Sequence, residues 1–202
     1  MTTACKADAD LLAKQGLKPR VDKERDRRLG PDEEQRIRKR LQEKADELLL
    51  FELALQTAMR LRECYTLQVS QVNLAQRTIF LERTKNGSSR QVPLPTPMVQ
   101  LLSAYIKSRQ LAITARRGRL LPFWSGEDSE ETLIATTAKL SARFARIFML
   151  AGAADLRFHD LRHEATCRLY EKRSCLMCKS PGSLGTRIYT CSGVTRACGA
   201  AT

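Results

Sequence analysis

No apolar run in this chain approaches the roughly 20 residues that a membrane-spanning helix requires, so no membrane partner is expected. The opening residues, MTTACKADAD, lack a positive start followed by an apolar stretch, and no secretion signal is expected there. Reduced thiols and a cytoplasmic, nucleoid-associated location follow as expectations. Internal repeats are absent, which excludes a solenoid or propeller. Acidic residues are scarce: 22 Asp plus Glu stand against 35 Lys plus Arg, a formal charge of +13. That imbalance favours a polyanionic partner, nucleic acid first. What remains is an ordinary hydrophobic content of 43% in 202 residues, enough for one real core.

Along the chain, LKPRVDKERDRRLGPDEE reads as a charged arm or linker. Pro31, followed by acidic residues, predicts a helix start. The segment ELLLFELALQTAMRLRECY (Glu47 to Tyr65) is apolar almost all round and predicts one core helix. Arg60, near its end, then has to snorkel, pair, or point into a polar site. RTIFLERTKNGSSRQVPLP alternates apolar and polar residues on both sides of Asn86-Gly87, the signature of a β-hairpin. MVQLLSAYIKSRQLAI predicts a helix, and an apolar stripe between Thr132 and Ala151 predicts another, with Gly152 as its C-terminal cap. A last helix is expected from His159 to about Lys172, where His159 and Arg162 share one face. The expected class is α+β, mainly helical, with a small antiparallel sheet.

Each of these polar residues alone has a bland reading as a solvated, capping or packing group. Their order does not. The pieces TAMRLRE (Thr57 to Glu63), RTKNGSSRQVPL (Arg83 to Leu94) and HDLRHE (His159 to Glu164) resemble the catalytic motifs of the tyrosine recombinases, the phage integrase family carried by mobile elements. The resemblance runs from about Arg27 to Lys172, and departs mildly at Ala58, where the family commonly has Gly.

The resemblance implies site-specific cleavage and rejoining of double-stranded DNA, with no metal and no cofactor, by four protomers acting together. Arg60 and Arg162 would clamp the scissile phosphate through their planar forks. Lys85 would protonate the departing 5′ hydroxyl, and His159 would assist proton transfer. Glu63 would orient Arg60, and His163 would add a phosphate contact. The family nucleophile is a Tyr that forms a 3′-phosphotyrosyl intermediate. It also implies a helical DNA-embracing domain ahead of the catalytic one. The expected organisation here is residues 1–30 as a basic linker with that domain missing, 31–172 as the catalytic domain, and 173–202 as a non-native tail.

The tail carries the exception. In the family, Gly-His or Gly-Trp follows the His-x-x-Arg motif, with the Tyr nine residues after that His. Neither dipeptide occurs in this chain. Tyr65, Tyr105 and Tyr170 stand in the wrong places, and Tyr189 in TRIYTCSG lacks the upstream partner and is read as a decoy. Translating Ser174 to Cys198 in a shifted frame permits the peptide LSDVQVARITGHKDIHMLRRYTRL, which contains Gly-His and a Tyr nine residues after its His. One position is forced, because the codons of Met177 and Cys178 necessarily yield Val. Loss of one nucleotide near the codons of Lys172 and Arg173 would produce the tail as it stands. The expectation is a catalytically defective chain whose last two helices leave apolar faces uncovered. The rival reading makes Cys175, Cys178, Cys191 and Cys198 zinc thiolates of a non-catalytic DNA-binding regulator; the spacing of the last two argues against it.

Overall fold

Pro31 opens the first helix, α1 (Pro31–Leu41), in the computed structural model, which describes residues 27–82, 89–127 and 129–177, with side chains as far as residue 171. Asp32, Glu33 and Glu34 occupy its first turn and Arg38, Lys39 and Arg40 its last, so both ends complement the helix dipole. Ile37 and Leu41 turn inward and are fully buried. Helix α2 (Ala45–Thr57) follows as the centre of the core. Leu49, Leu50, Phe51, Leu53, Ala54 and Leu55 are all buried, as an element covered on nearly every side requires.

The single helix predicted over Glu47 to Tyr65 is two. Ala58 takes a left-handed conformation (φ 54°, ψ 25°) and ends α2. Arg60 returns to extended backbone (φ −71°, ψ 152°) and caps α3 (Leu61–Tyr65). The apolar pattern concealed the break because Ala is a strong helix former and carries no turn signal. An L-residue in this region costs about 1–2 kcal/mol, against which Gly loses about 0.5–1 kcal/mol of backbone entropy. Ala58→Gly is therefore expected to stabilise the protein by about 1 kcal/mol, raising its melting temperature by about 2–4 °C. An unchanged or lowered melting temperature would contradict the strain at Ala58.

A three-stranded antiparallel sheet in the order β1-β2-β3 comes next: β1 (Val72–Asn73), β2 (Thr78–Leu81) and β3 (Arg90–Pro93). The predicted hairpin strands are β2 and β3, paired from Thr78↔Pro93 to Leu81↔Arg90. The two-residue β1 had no periodicity to announce it. Helices α4 (Thr96–Ser108) and α5 (Gln110–Ala115) replace the single predicted helix. The Ser108 hydroxyl and the Arg109 N–H both donate to the Tyr105 carbonyl, each at 3.0 Å, so the local turn tightens there.

The long helix α6 (Glu130–Leu150) carries the predicted apolar stripe, and Gly152 follows its end at φ 76°, as expected of a cap. Helix α7 (Phe158–Met177) starts one residue before His159 and runs past the expected end at Lys172 to Met177. Phe144 packs edge-on against Phe158 at 4.8 Å between ring centres, tying the start of α7 to α6. The Tyr65 hydroxyl lies 3.0 Å from both the Leu133 carbonyl and the Thr137 hydroxyl, tying α3 to the same helix. Ile134, Met149 and Leu150 on α6 and Leu169 and Tyr170 on α7 remain exposed. Among the described residues no helix is long and apolar enough to cross a membrane.

Arg27 to Gly30, read from the sequence as the end of the arm, pack onto this unit. Leu29 is buried, and its N–H donates to Glu164 Oε2 at 3.1 Å. Arg28 Nε and Arg168 Nε each donate to the same Glu164 carboxylate at 2.6 Å. Arg168 continues to Glu34, Arg38 joins Glu34 to Glu52, and Gln56 donates to Glu52. The arm, α7, α1 and α2 are thus linked by one chain of charges around the buried acids Glu34, Glu52 and Glu164.

Candidate active site

The turn after α2 places the first guanidinium. Arg60 does not ride on the apolar helix; it sits in the break, where its backbone N–H donates to Glu63 Oε2 at 2.7 Å. Glu63 is the third residue of α3, so its carboxylate satisfies a helix-start donor in the manner of a capping box. The same carboxylate receives Arg60 Nη1 at 3.1 Å. A second guanidinium arrives from the sheet, Arg90 Nη2 donating to Glu63 Oε2 at 2.7 Å. The third comes from α7, with Arg162 Nη1 3.9 Å from Glu63 Oε2.

The start of α7 is fixed by Asp160, whose Oδ2 accepts the Arg157 N–H at 2.8 Å, and by buried Phe158. His159 is left exposed, with Arg162 one turn further along the same face. Arg60, His159 and Arg162 line one cavity of about 140 Å³ with Thr137, Ser141 and Phe158. That is room for several water molecules or a small anion.

Electrostatically the site is overcharged. Three guanidiniums face one carboxylate, and burial, then Arg60, then Arg90 push the Arg162 guanidinium below its ordinary value, opposed by Glu63. Arg162 Nη1 is buried and has no hydrogen-bond acceptor among the described residues, and the same holds for Arg90 Nε. Buried donors of this kind are costly unless something accepts from them. An oxyanion in the cavity would offer Arg162, which lines it, an acceptor and would supply the missing negative charge.

Of the residues singled out from the sequence, Arg60, Glu63, His159 and Arg162 are brought together. His163 does not line the cavity; its Nδ1 lies 3.7 Å from Cys167 Sγ. Lys85, Tyr189, Cys178, Cys191 and Cys198 lie outside the described residues, as does the side chain of Cys175. The base of the Lys85 hairpin is described: it is the Leu81↔Arg90 pair, and Arg90 touches the site through Glu63. Tyr65 and Tyr105 are buried, and the Tyr105 hydroxyl donates to Asp46 at 2.6 Å. Arg90, Thr137 and Ser141 went unread in the sequence. Arg90 had a signal, since it shares a strand face with buried Val92 and an inward-facing charge needs a partner.

A mainly helical α+β unit with a small three-stranded antiparallel sheet is the fold of tyrosine recombinase catalytic domains. The phage integrase family matches residues 27–177, and the chain belongs to that family. It is 36% identical over 155 residues to the shufflon-specific DNA recombinase of Escherichia coli, covering 76% of this chain and 35% of that protein. The chain spans about a third of the length of the curated relatives it matches. Its fold is similar to that of XerA recombinase (TM-score 0.59, 19% identity, covering 84% of this chain and 61% of that one). It is also similar to XerH site-specific recombinase bound to a palindromic difH substrate (TM-score 0.56, 24% identity, covering 75% and 44%).

Proposed function

We propose that this chain binds double-stranded DNA by seating one backbone phosphate between Arg60 and Arg162, and that it does not cleave that DNA. Arg162 Nη1, buried and with no hydrogen-bond acceptor among the described residues, carries the reading. A phosphate oxygen is the acceptor that such a donor requires, and planar guanidinium forks bind such oxygens in pairs. Glu63 holds Arg60 in place from below. His159, exposed at the rim, is the group positioned to move a proton. The named relatives act on DNA, and the +13 charge suits the same partner.

Cleavage requires a nucleophile, and the described tyrosines do not provide one. Tyr65 and Tyr105 are enclosed in the core. Tyr170 lies eight residues beyond Arg162 on α7, a rise of about 12 Å along the helix axis. We ascribe the defect to the out-of-frame tail, which replaces the Gly-His and Tyr segment. The exposed Leu169, Tyr170, Met149 and Leu150 are the kind of apolar surface that the lost helices would cover.

The test is binding of a duplex as a function of salt. Micromolar or weaker, largely sequence-independent affinity is expected, falling steeply as salt rises. Arg60→Ala and Arg162→Ala should each lower the slope of log K against log salt by about 0.9, the value of one phosphate contact. Sequence-specific nanomolar binding, or slopes unchanged in both variants, would overturn the reading.

A further inference from the structure

Arg90 has no part in the chemistry just described, yet it holds the acid on which the site is built. We propose that Arg90 is a positioning residue of the phosphate site, clamping Glu63 from the sheet so that Arg60 is presented to the anion; this rests on the phosphate-site reading above. Glu63 Oε2 accepts at 2.7 Å from both the Arg60 backbone N–H and Arg90 Nη2, while Oε1 accepts from Arg60 Nη1 at 3.1 Å. Without Arg90, both Arg60 bonds come from within one turn of α3, and the carboxylate is free to rotate about its terminal torsion. The bond from β3 removes that freedom, because the Arg90 backbone is itself fixed in the ladder opposite Leu81.

The position suits this use. Arg90 shares its strand face with buried Val92, so its side chain is directed toward the core side of the sheet. Its side chain is only 33% exposed, and its Nε is buried with no acceptor among the described residues. A surface ion pair would not leave that donor buried. Arg90 also stands at the base of the hairpin that carries Lys85, so one side chain joins the sheet to the Arg60 turn. Lys would not serve in its place, since a point charge lacks the planar fork that fixes a carboxylate's orientation.

The experiment uses the full chain, inorganic phosphate at low ionic strength, and NMR of the arginine Nε–H groups. Arg90→Gln and Arg90→Lys are expected to weaken phosphate binding about tenfold and to increase the motion of the Arg60 Nε–H. In an Arg60→Ala background, Arg90→Gln should cost less than a further twofold, because it acts through Arg60. Should Arg90→Gln fail to fold, the charge-retaining Arg90→Lys carries the test. Undiminished affinity, fully additive losses, or an Arg60 signal as ordered as in the parent would overturn the proposal. If Arg60→Ala and Arg162→Ala bind phosphate as the parent does, or the parent binds none, the phosphate-site reading itself fails. The Arg60 relaxation then judges the clamp alone.

Discussion

On the proposed reading, replacing everything after Arg173 by LSDVQVARITGHKDIHMLRRYTRL is expected to convert a chain that forms no covalent adduct with DNA into one that does. The reasoning is chemical. A tyrosine recombinase conserves the energy of the broken phosphodiester in a 3′-phosphotyrosine, so on the proposed reading a chain without that Tyr would hold a phosphate it could not open. Where the loss of a covalent nucleophile has been measured in another enzyme class, it costs on the order of 10⁶ in rate, far beyond any effect of altered binding. The measurement is trapping on a pool of nicked suicide duplexes at low salt, resolved on a denaturing gel. The restored chain should give a protein–DNA band that disappears when the Tyr of the grafted peptide is changed to Phe. An adduct formed by the chain as it stands, or none from the restored chain, would contradict the frame-shifted tail.

Glu164→Ala should be among the most destabilising single changes in the folded unit. The Glu164 side chain is 3% exposed, and its carboxylate takes hydrogen bonds from Arg28, Arg168 and the Leu29 N–H. Removing one partner of a fully buried ion pair costs about 3–5 kcal/mol, because the other charge is stranded. Here the two arginine side chains are 36% and 32% exposed, so water compensates in part and about 2–3 kcal/mol is expected. Chemical denaturation should read this as a lower midpoint at unchanged slope. The acid limb of stability supplies the second readout. Burial works to raise the Glu164 pKa, but the hydrogen bonds from Arg28, Arg168 and Leu29 outweigh it and hold it below the ordinary value of about 4.3. Its contribution is therefore complete above about pH 4.3 and is lost as pH falls through the lower folded value. Glu164→Gln should flatten that loss, whereas an acid limb as steep as the parent's would contradict the network.

How much of this was legible depended on whether a signal was local. The core stripe of α6 and the alternation of β2 and β3 lie within a few residues, so periodicity announced them. The break at Ala58 did not show, since a helix-forming residue was placed where a turn residue belongs. The pairing of Arg60 with Glu63 was readable as an i, i+3 spacing. The meeting of Arg60 with His159 and Arg162, a hundred residues on, came only through resemblance to a family, because tertiary approach leaves no local trace. Arg28 shows the reverse error. In sequence it belongs to a run of charges that looks solvated, and in the structure it is anchored to a buried acid in α7. Arg90 was hidden in the same way, as one more cation beside a turn.

The central claim is that Arg60 and Arg162, supported by Glu63, form a seat for one phosphate group. A tungstate soak of protein crystals, read by anomalous scattering, tests it most directly. The expected result is one strong peak in the cavity beside His159, with oxyanion oxygens within hydrogen-bond distance of both the Arg60 and Arg162 guanidiniums. A cavity without tungstate, while the anion occupies other basic surfaces of the same molecule, would contradict it.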